Sequence, residues 1–195
     1  MRIIAGSKKG TKLAGPGGRK IRPTPDMVRE SLFNILGQVL SGMRFLDLYA
    51  GTGAVGLEAV SRGADACVLV DKSSEAVALC RKNSERLLLA EKVRIMHMDV
   101  MMAVERIAAK NLSFDIIFAG PPFDESTQVL ERLAGKIAGS AMLRGGGMFV
   151  IQLPATTRDF SPGGMVLTRE KKYGRNKLLF FLLNSPSNLG DSPVY

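Results

Sequence analysis

DLYAGTGAVG, residues 47–56, is the stretch that decides the fold of this 195-residue chain. It continues the apolar run Arg44–Leu48 and leads into Ala54–Ser61, which has the length and periodicity of a helix. Glycines between a buried strand and a helix let the backbone approach a ligand closely, and open α/β sheets bind their ligands at this place. Taken alone, the three glycines form a G-x-G-x-x-G match that short sequences often produce by chance.

The surrounding pattern supports an α/β class with a mostly parallel twisted sheet, helices on both faces and a C-terminal antiparallel hairpin. The predicted parallel strands are Arg44–Leu48, Cys67–Asp71, Val93–Met98, Phe114–Ala119 and Met148–Leu153. The predicted helices between them are Ala54–Ser61, Ser74–Leu89, Val100–Ala109 and Thr127–Ile137, with Ser73 as a cap. The hairpin is predicted from Met165–Lys171 and Leu178–Leu183, which flank a turn-rich segment.

The chain carries a formal net charge of +9, and most of this positive charge lies near the N-terminus. Residues 1–44 hold nine Lys or Arg against two Asp or Glu. A local excess beside a balanced body indicates a segment that faces a polyanion, and a solvated basic tail is the alternative. We expect residues 5–20 to form a mobile surface segment and Thr24 to cap a helix that follows it. The sequence has only two cysteines, which favours a reducing cytoplasm over a disulfide scaffold. It contains no metal-ligating cluster and no apolar run long enough to span a bilayer, so we expect a soluble protein without metal or membrane contact.

Acidic residues end the first three predicted strands, at Asp47, Asp71 and Asp99. Asp71 is placed to accept hydrogen bonds from ribose hydroxyls, and Asp99 from an adenine amine. Asp47 suits the ammonium group of an amino acid but would repel a pyrophosphate. This set favours S-adenosylmethionine over a dinucleotide, and strand ends that are merely solvated are the alternative. The cofactor-binding residues predicted here are Asp47, Tyr49, Gly51, Gly53, Asp71, Lys72, Asp99 and Val100.

The fourth predicted strand leads into Gly120, Pro121, Pro122 and Phe123, which we take as the catalytic residues. This loop resembles the D/N-P-P-Y/F loop of amino methyltransferases. In that family a side-chain oxygen and the first proline carbonyl accept the two N–H groups of an exocyclic amine, which localises its lone pair, and the aromatic residue stacks on the base. A rigid loop with a packing phenylalanine is the alternative.

Gly120 departs from that pattern because it has no side chain to accept a hydrogen bond. Losing the acceptor is expected to slow transfer by about ten- to a hundred-fold. Three explanations stay open: a variant with impaired turnover, an acceptor supplied by Asp124 or another nearby oxygen, or an RNA-binding protein that no longer methylates.

Nearly the full length of the chain resembles the RsmD family, whose members methylate the N2 amine of a guanine in small-subunit ribosomal RNA. The resemblance rests on the residues 2–6, 22–24, 28–30, 32–34, 47–59, 61–64, 173–174 and 178. It implies a Rossmann-like class I methyltransferase domain at 44–184, preceded by a basic extension and a packed helix at 1–43 and followed by a disordered tail at 185–195.

The resemblance also implies a substrate RNA within an assembled or assembling 30S subunit, and we expect the chain to be a monomer. The residues expected to lie along its phosphates are Lys8, Lys9, Lys12, Arg19, Lys20, Arg22 and Arg29. Two other functions are considered: an RNA-binding ribosome assembly factor, motivated by Gly120, and an NAD-dependent oxidoreductase, motivated by the glycine spacing.

Overall fold

The computed structural model describes residues 1–17 and 24–184. In these ranges the helices are α1 (Asp26–Leu36), α2 (Ala54–Ser61), α3 (Ser74–Arg86), α4 (Val100–Ala109) and α5 (Thr127–Ala138), with a 3-10 turn at Ala90–Lys92. The strands are β1 (Arg44–Leu48), β2 (Ala66–Asp71), β3 (Val93–His97), β4 (Phe114–Ala119), β5 (Leu143–Pro154), β6 (Met165–Tyr173) and β7 (Asn176–Leu183).

These strands form one sheet in the order β3-β2-β1-β4-β5-β7-β6. The first five pair in parallel, whereas β7 runs antiparallel to both β5 and β6. The predicted α/β class, with its parallel sheet and terminal hairpin, is confirmed. The strand order reverses between β1 and β4, and the carboxyl ends of strands at such a reversal form a crevice.

Both faces of the sheet are covered, which explains why its central strands are apolar without alternation. On one face Leu46 and Leu48 of β1 pack in a cluster with residues of α4 and α5. On the other face Phe45 joins a second cluster with residues of α1 and α2. The sheet is therefore held rigid from both sides, and only its strand ends are available for a ligand.

The predicted start of β5 and the predicted cap of α1 are wrong, and α3 ends at Arg86, three residues before its predicted end. β5 begins at Leu143, five residues before the predicted start, because Leu143 pairs with Phe114 across a register shift that separates it from the rest of the ladder. Thr24 does not cap α1: Pro25 occupies the cap position, and the Thr24 hydroxyl instead donates to Gln152 Oε1 at 3.1 Å. The predicted cap of α3 is confirmed, since Ser73 Oγ accepts from the Ala76 amide.

The N-terminal segment, residues 1–17, is hydrogen-bonded to the core as far as Ala14, so the expectation of a mobile segment is wrong for residues 5–14. The buried carboxylate of Glu58 accepts hydrogen bonds from the amides of Ile4 and Ala5 at 2.8 and 2.9 Å. Gly6 passes so close to α2 that an added Cβ would lie 1.9 Å from the Ser61 carbonyl oxygen. Residues 18–20 and the predicted tail at 185–195 lie outside the described residues.

No helix within the described ranges is long and apolar enough to cross a membrane.

Glu58→Ala is expected to lower the free energy of unfolding by about 3–5 kcal/mol. The substitution leaves two amides of the N-terminal segment without their acceptor, and it leaves the buried Arg62 guanidinium without its ion-pair partner at 3.0 Å. Urea denaturation of the full chain measures the change. Glu105→Ala is the matched control, because its ion pair with Lys136 is solvent-exposed and should contribute less than about 1 kcal/mol. Equal losses in the two variants would show that Glu58 does not anchor the segment.

Candidate active site

A cavity of about 500 Å³ opens at the carboxyl ends of β1 to β4. Its volume is in the range of small-molecule sites. The lining residues come from all four βα loops, from the start of α1 and from β5, and they are Thr24, Tyr49, Gly51, Asp71, Lys72, Ser73, Glu75, Asp99, Val100, Gly120, Pro121, Pro122, Phe123, Asp124 and Gln152. The topological reversal of the sheet thus brings the predicted cofactor loops and the predicted catalytic loop to one place.

Six of the eight predicted cofactor-binding residues line this cavity, and the other two lie beneath it. Gly53 is buried at the start of α2. Gly56, in the same stretch, permits tight packing of α2 on the sheet, because an added Cβ would lie 2.4 Å from Leu69 Cδ2. The later glycines of the motif therefore serve helix packing, and Gly51 is the one that faces the cavity.

Asp47 does not face the crevice, contrary to the sequence-based expectation. Its side chain is 1% exposed, and its carboxyl accepts a hydrogen bond from the Gly56 amide at 2.9 Å. Because Asp47 lies within β1 with its side chain turned into the interior, it contacts the start of α2 and does not reach the cavity. Burial raises its pKa to about 7, an effect that the Gly56 hydrogen bond opposes and the Asp71 charge increases.

Asp71 ties two cavity loops together. One carboxylate oxygen accepts from the Gly51 amide at 2.8 Å and the other from the Ser73 amide at 2.9 Å. Each oxygen keeps a lone pair that a ligand hydroxyl can use. Lys72, between the strand end and the helix cap, is exposed at the rim.

Asp99 caps α4, since its Oδ1 accepts from the Met101 amide at 2.9 Å. Its second carboxylate oxygen has no donor among residues 1–17 and 24–184, and Val100 follows it as an apolar wall of the cavity. A carboxylate beside an apolar wall suits a flat base with one amino group. Adenine contact at Asp99 stays a prediction.

The Tyr49 hydroxyl is a further polar group in the cavity wall that sequence reasoning placed there without a specific role. It is buried and has no hydrogen-bond partner among the described residues. Burial raises its pKa, as do the nearby charges of Glu125 and Asp99, so the hydroxyl keeps its proton. Tyr49 also adopts a positive φ of 63°, a conformation that costs energy in a bulky residue and recurs at ligand sites.

The loop after β4 extends the ladder beyond the strand, because the Gly120 amide donates to the Leu48 carbonyl oxygen at 3.1 Å. Pro121 is buried, whereas Pro122 and Phe123 are exposed at the cavity mouth. A Cβ on Gly120 would lie 3.1 Å from Phe118 Cε1, so a side chain at this position needs the ring to move by only a few tenths of an ångström. Gly120 is therefore not required by the backbone.

Five further residues line the cavity without having been predicted as site residues: Thr24, Ser73, Glu75, Asp124 and Gln152. Asp124 was considered only as one source of a missing acceptor. Gln152 offered the clearest unused signal, since it is a polar residue within the apolar run that forms β5.

The predicted RNA-contacting residues divide into three groups. Lys9 and Lys12 are exposed and Lys8 is partly exposed on the N-terminal segment. Arg19, Lys20 and Arg22 lie outside the described residues. The prediction for Arg29 is wrong: its side chain is fully buried beneath the N-terminal segment, where Nη2 donates to the Arg2 carbonyl oxygen at 2.6 Å and pairs with Asp26 at 3.0 Å. A residue enclosed in this way does not reach a phosphate.

Comparison with known proteins gives a family and named relatives. Residues 1–182 match the family model described as "Conserved hypothetical protein 95". YlbH of Bacillus subtilis strain 168, whose name assigns it provisionally to the ribosomal RNA methyltransferases, is 37% identical over 180 residues, which span 89% of this chain and 94% of YlbH. Ribosomal RNA small subunit methyltransferase D of Escherichia coli strain K12 is 35% identical over 136 residues, 67% of each chain.

Solved structures agree with this fold. A hypothetical protein of Thermus thermophilus superposes with a TM-score of 0.78 at 32% identity, covering 92% of this chain and 98% of its own. An RNA methyltransferase of Salinibacter ruber, solved with S-adenosyl-L-homocysteine, superposes with a TM-score of 0.66 at 16% identity, covering 87% of this chain and 100% of its own. The second likeness concerns the fold alone.

Asp47→Asn is expected to flatten the dependence of stability on pH. Since the pKa of Asp47 rises from 3.8 in the unfolded chain to about 7 in the fold, the folded state holds the proton more tightly, and stability falls as pH rises through this window. About 2 kcal/mol is lost between pH 5.5 and 8 in the unaltered chain through this group. Urea denaturation at these two pH values checks the difference. The exposed Asp159→Asn serves as the control, and a slope equally steep in Asp47→Asn and the unaltered chain would contradict the assignment.

Proposed function

Because this chain belongs to the family described as conserved hypothetical protein 95, the RsmD family of ribosomal RNA methyltransferases, we propose that it methylates the N2 amine of a guanine in small-subunit ribosomal RNA. The observation that carries the proposal is that Asp71, Asp99 and the loop Gly120–Phe123 line the same cavity. In a direct transfer the methyl group passes from the donor to the amine without a covalent enzyme intermediate. The cofactor-binding residues and the catalytic residues must therefore line the same cavity.

The residues present fit S-adenosylmethionine as the methyl donor. Asp71 keeps lone pairs for ribose hydroxyls, Asp99 has a free oxygen beside an apolar wall for the adenine, and the Tyr49 hydroxyl lacks a partner among the described residues. S-adenosylmethionine supplies an electrophilic methyl group when it is bound. The NAD-dependent oxidoreductase is not retained, because the named relatives are methyltransferases.

The catalytic contribution of the chain is to position the amine and to localise its lone pair. The Pro121 carbonyl oxygen accepts one N–H, and Phe123, 37% exposed at the mouth, stacks on a base that has left its helix. Pro122 and Asp124 are exposed beside Phe123 and line the same cavity. Gly120 contributes no acceptor, so the second N–H must find another oxygen.

The substrate is RNA within an assembled or assembling 30S subunit, and the chain acts as a cytoplasmic monomer. Lys8, Lys9 and Lys12 supply the positive surface, since no ion pair is recorded for them with another described residue. Free ammonium groups on a fixed backbone segment gain affinity from counterion release when they meet phosphates. An RNA-binding assembly factor without turnover is the second candidate, and Gly120 is the observation that favours it.

Gly120→Asp is expected to raise the rate of methyl transfer by about ten- to a hundred-fold, because it restores a charged acceptor for the amine. The rate is measured with labelled S-adenosylmethionine and small subunits that lack the modification, and mass spectrometry of the nucleosides identifies N2-methylguanosine. Affinity for S-adenosylhomocysteine, measured by calorimetry, serves as the control for an intact cofactor site.

Two results would count against parts of this proposal. Equal rates for the unaltered chain and Gly120→Asp contradict the role given to position 120. If neither chain transfers a methyl group but both bind small subunits, the assembly-factor function is the correct one.

Replacing Lys8, Lys9 and Lys12 together with Gln is expected to weaken binding of small-subunit RNA by about ten-fold or more and to reduce the slope of log affinity against log salt by about 2. Filter binding over a salt series measures both quantities. The matched control replaces three exposed lysines of the body, Lys82, Lys92 and Lys110, which changes net charge equally. The same loss in both triple variants would mean that net charge alone governs binding.

A further inference from the structure

Gln152 lies beside the position where the side-chain acceptor is missing. Phe118 of β4 pairs with Val150 of β5, and Ala119 pairs with Ile151, so Gly120 and Gln152 are the next pair along the two strands. The Gly120 amide bonds to Leu48, which shows that the chain keeps its strand course at this point.

The Gln152 side chain also lies on the same face of the sheet as a side chain at position 120 would. Side chains two residues apart share a face, and Phe118 and Val150 pack in the same core cluster. An added Cβ on Gly120 indeed points toward the Phe118 ring. The amide of Gln152 therefore occupies the space next to the absent carboxylate, and it lines the same cavity.

The Gln152 side chain is held in one orientation by two hydrogen bonds. Its Oε1 accepts from the Thr24 hydroxyl at 3.1 Å, and its Nε2 donates to Asn176 Oδ1 at 3.0 Å. The residue is 8% exposed and already held in place, so its side chain loses no further conformational entropy when a substrate binds. A carbonyl oxygen has two lone pairs, and Thr24 uses one of them.

We propose that Gln152 is a catalytic residue whose Oε1 accepts the second N–H of the substrate amine in place of a side chain at position 120. The proposal rests on the proposed function. An amide oxygen is a weaker acceptor than a carboxylate, so the reaction proceeds at a reduced rate.

Asp124 is the competing acceptor, because it lines the same cavity and carries a full charge. It lies on an exposed turn after Phe123, however, and no hydrogen bond of its carboxylate is recorded among the described residues. Its carboxylate would have to give up water and rotamer freedom to bind an amine, whereas the Gln152 amide is already fixed and desolvated. Preorganisation favours Gln152.

The test is a comparison of Gln152→Met in two backgrounds, the unaltered chain and Gly120→Asp. Methionine keeps the length of the side chain and removes the acceptor. We expect kcat for methyl transfer to small subunits to fall about ten-fold or more in the unaltered chain and by less than about two-fold in Gly120→Asp, where a carboxylate replaces the lost oxygen. Gln152→Glu keeps an acceptor at the same place and is expected to retain at least about half of the kcat.

Several results would overturn the proposal. An equal fall for Gln152→Met in both backgrounds means that Gln152 only supports Thr24 and Asn176. Asp124→Asn is measured in the same two backgrounds. If it lowers kcat in the unaltered chain but not in Gly120→Asp, and Gln152→Met shows no such difference, the acceptor is Asp124. A loss of kcat of about ten-fold in a Gln152→Glu protein that still binds S-adenosylhomocysteine would show that an acceptor oxygen at position 152 does not support the reaction. If no variant transfers methyl groups in either background, the proposed function itself has failed, and this inference fails with it.

Discussion

Hydrogen bonds from backbone amides to two acidic side chains fix the loop on which the site depends. Asp71 accepts from Gly51 and Ser73, and the buried Asp47 accepts from Gly56. The first carboxylate holds the cavity face of the loop, and the second holds the start of α2 against β1. Because both acceptors belong to strands of a sheet that is packed on its two faces, the loop inherits the rigidity of the core. The cavity is preformed for this reason.

The N-terminal segment is built by the same kind of interaction on the other side of α2. Glu58 accepts two of its amides and pairs with Arg62, and the buried Arg29 bonds to the Arg2 carbonyl oxygen beneath it. Burial lowers the pKa of Arg29, an effect that the charges of Asp26 and Glu58 oppose. The fold thus separates the basic residues predicted to contact RNA. Arg29 holds the segment in place, whereas Lys9 and Lys12 are exposed on its outer surface and Lys8 is partly exposed.

In the proposed reaction the amine needs acceptors for two N–H groups, and in our proposal these acceptors come from different elements of the chain. The Pro121 carbonyl belongs to the loop itself, whereas Gln152 comes from the neighbouring strand and is oriented by residues from the start of α1 and from β7. Three separate parts of the chain therefore determine the position of one oxygen atom. Such a network tolerates the loss of a loop side chain better than a loop that relies on its own residues.

Local patterns in the sequence determined the strands β1 to β4, the helices that follow them, the hairpin and the loops that line the cavity, because apolar period and glycine placement act over a few residues. Direction of side chains and long-range partners were decided only by the tertiary structure. The Asp47 side chain lies in the interior, the Arg29 side chain is buried, and residues 5–14 are held in place, because their partners lie elsewhere in the chain. Glu58 is 54 residues from Ile4, and Thr24 is 128 residues from Gln152. Contacts over such separations follow from packing of whole elements, which no local pattern encodes.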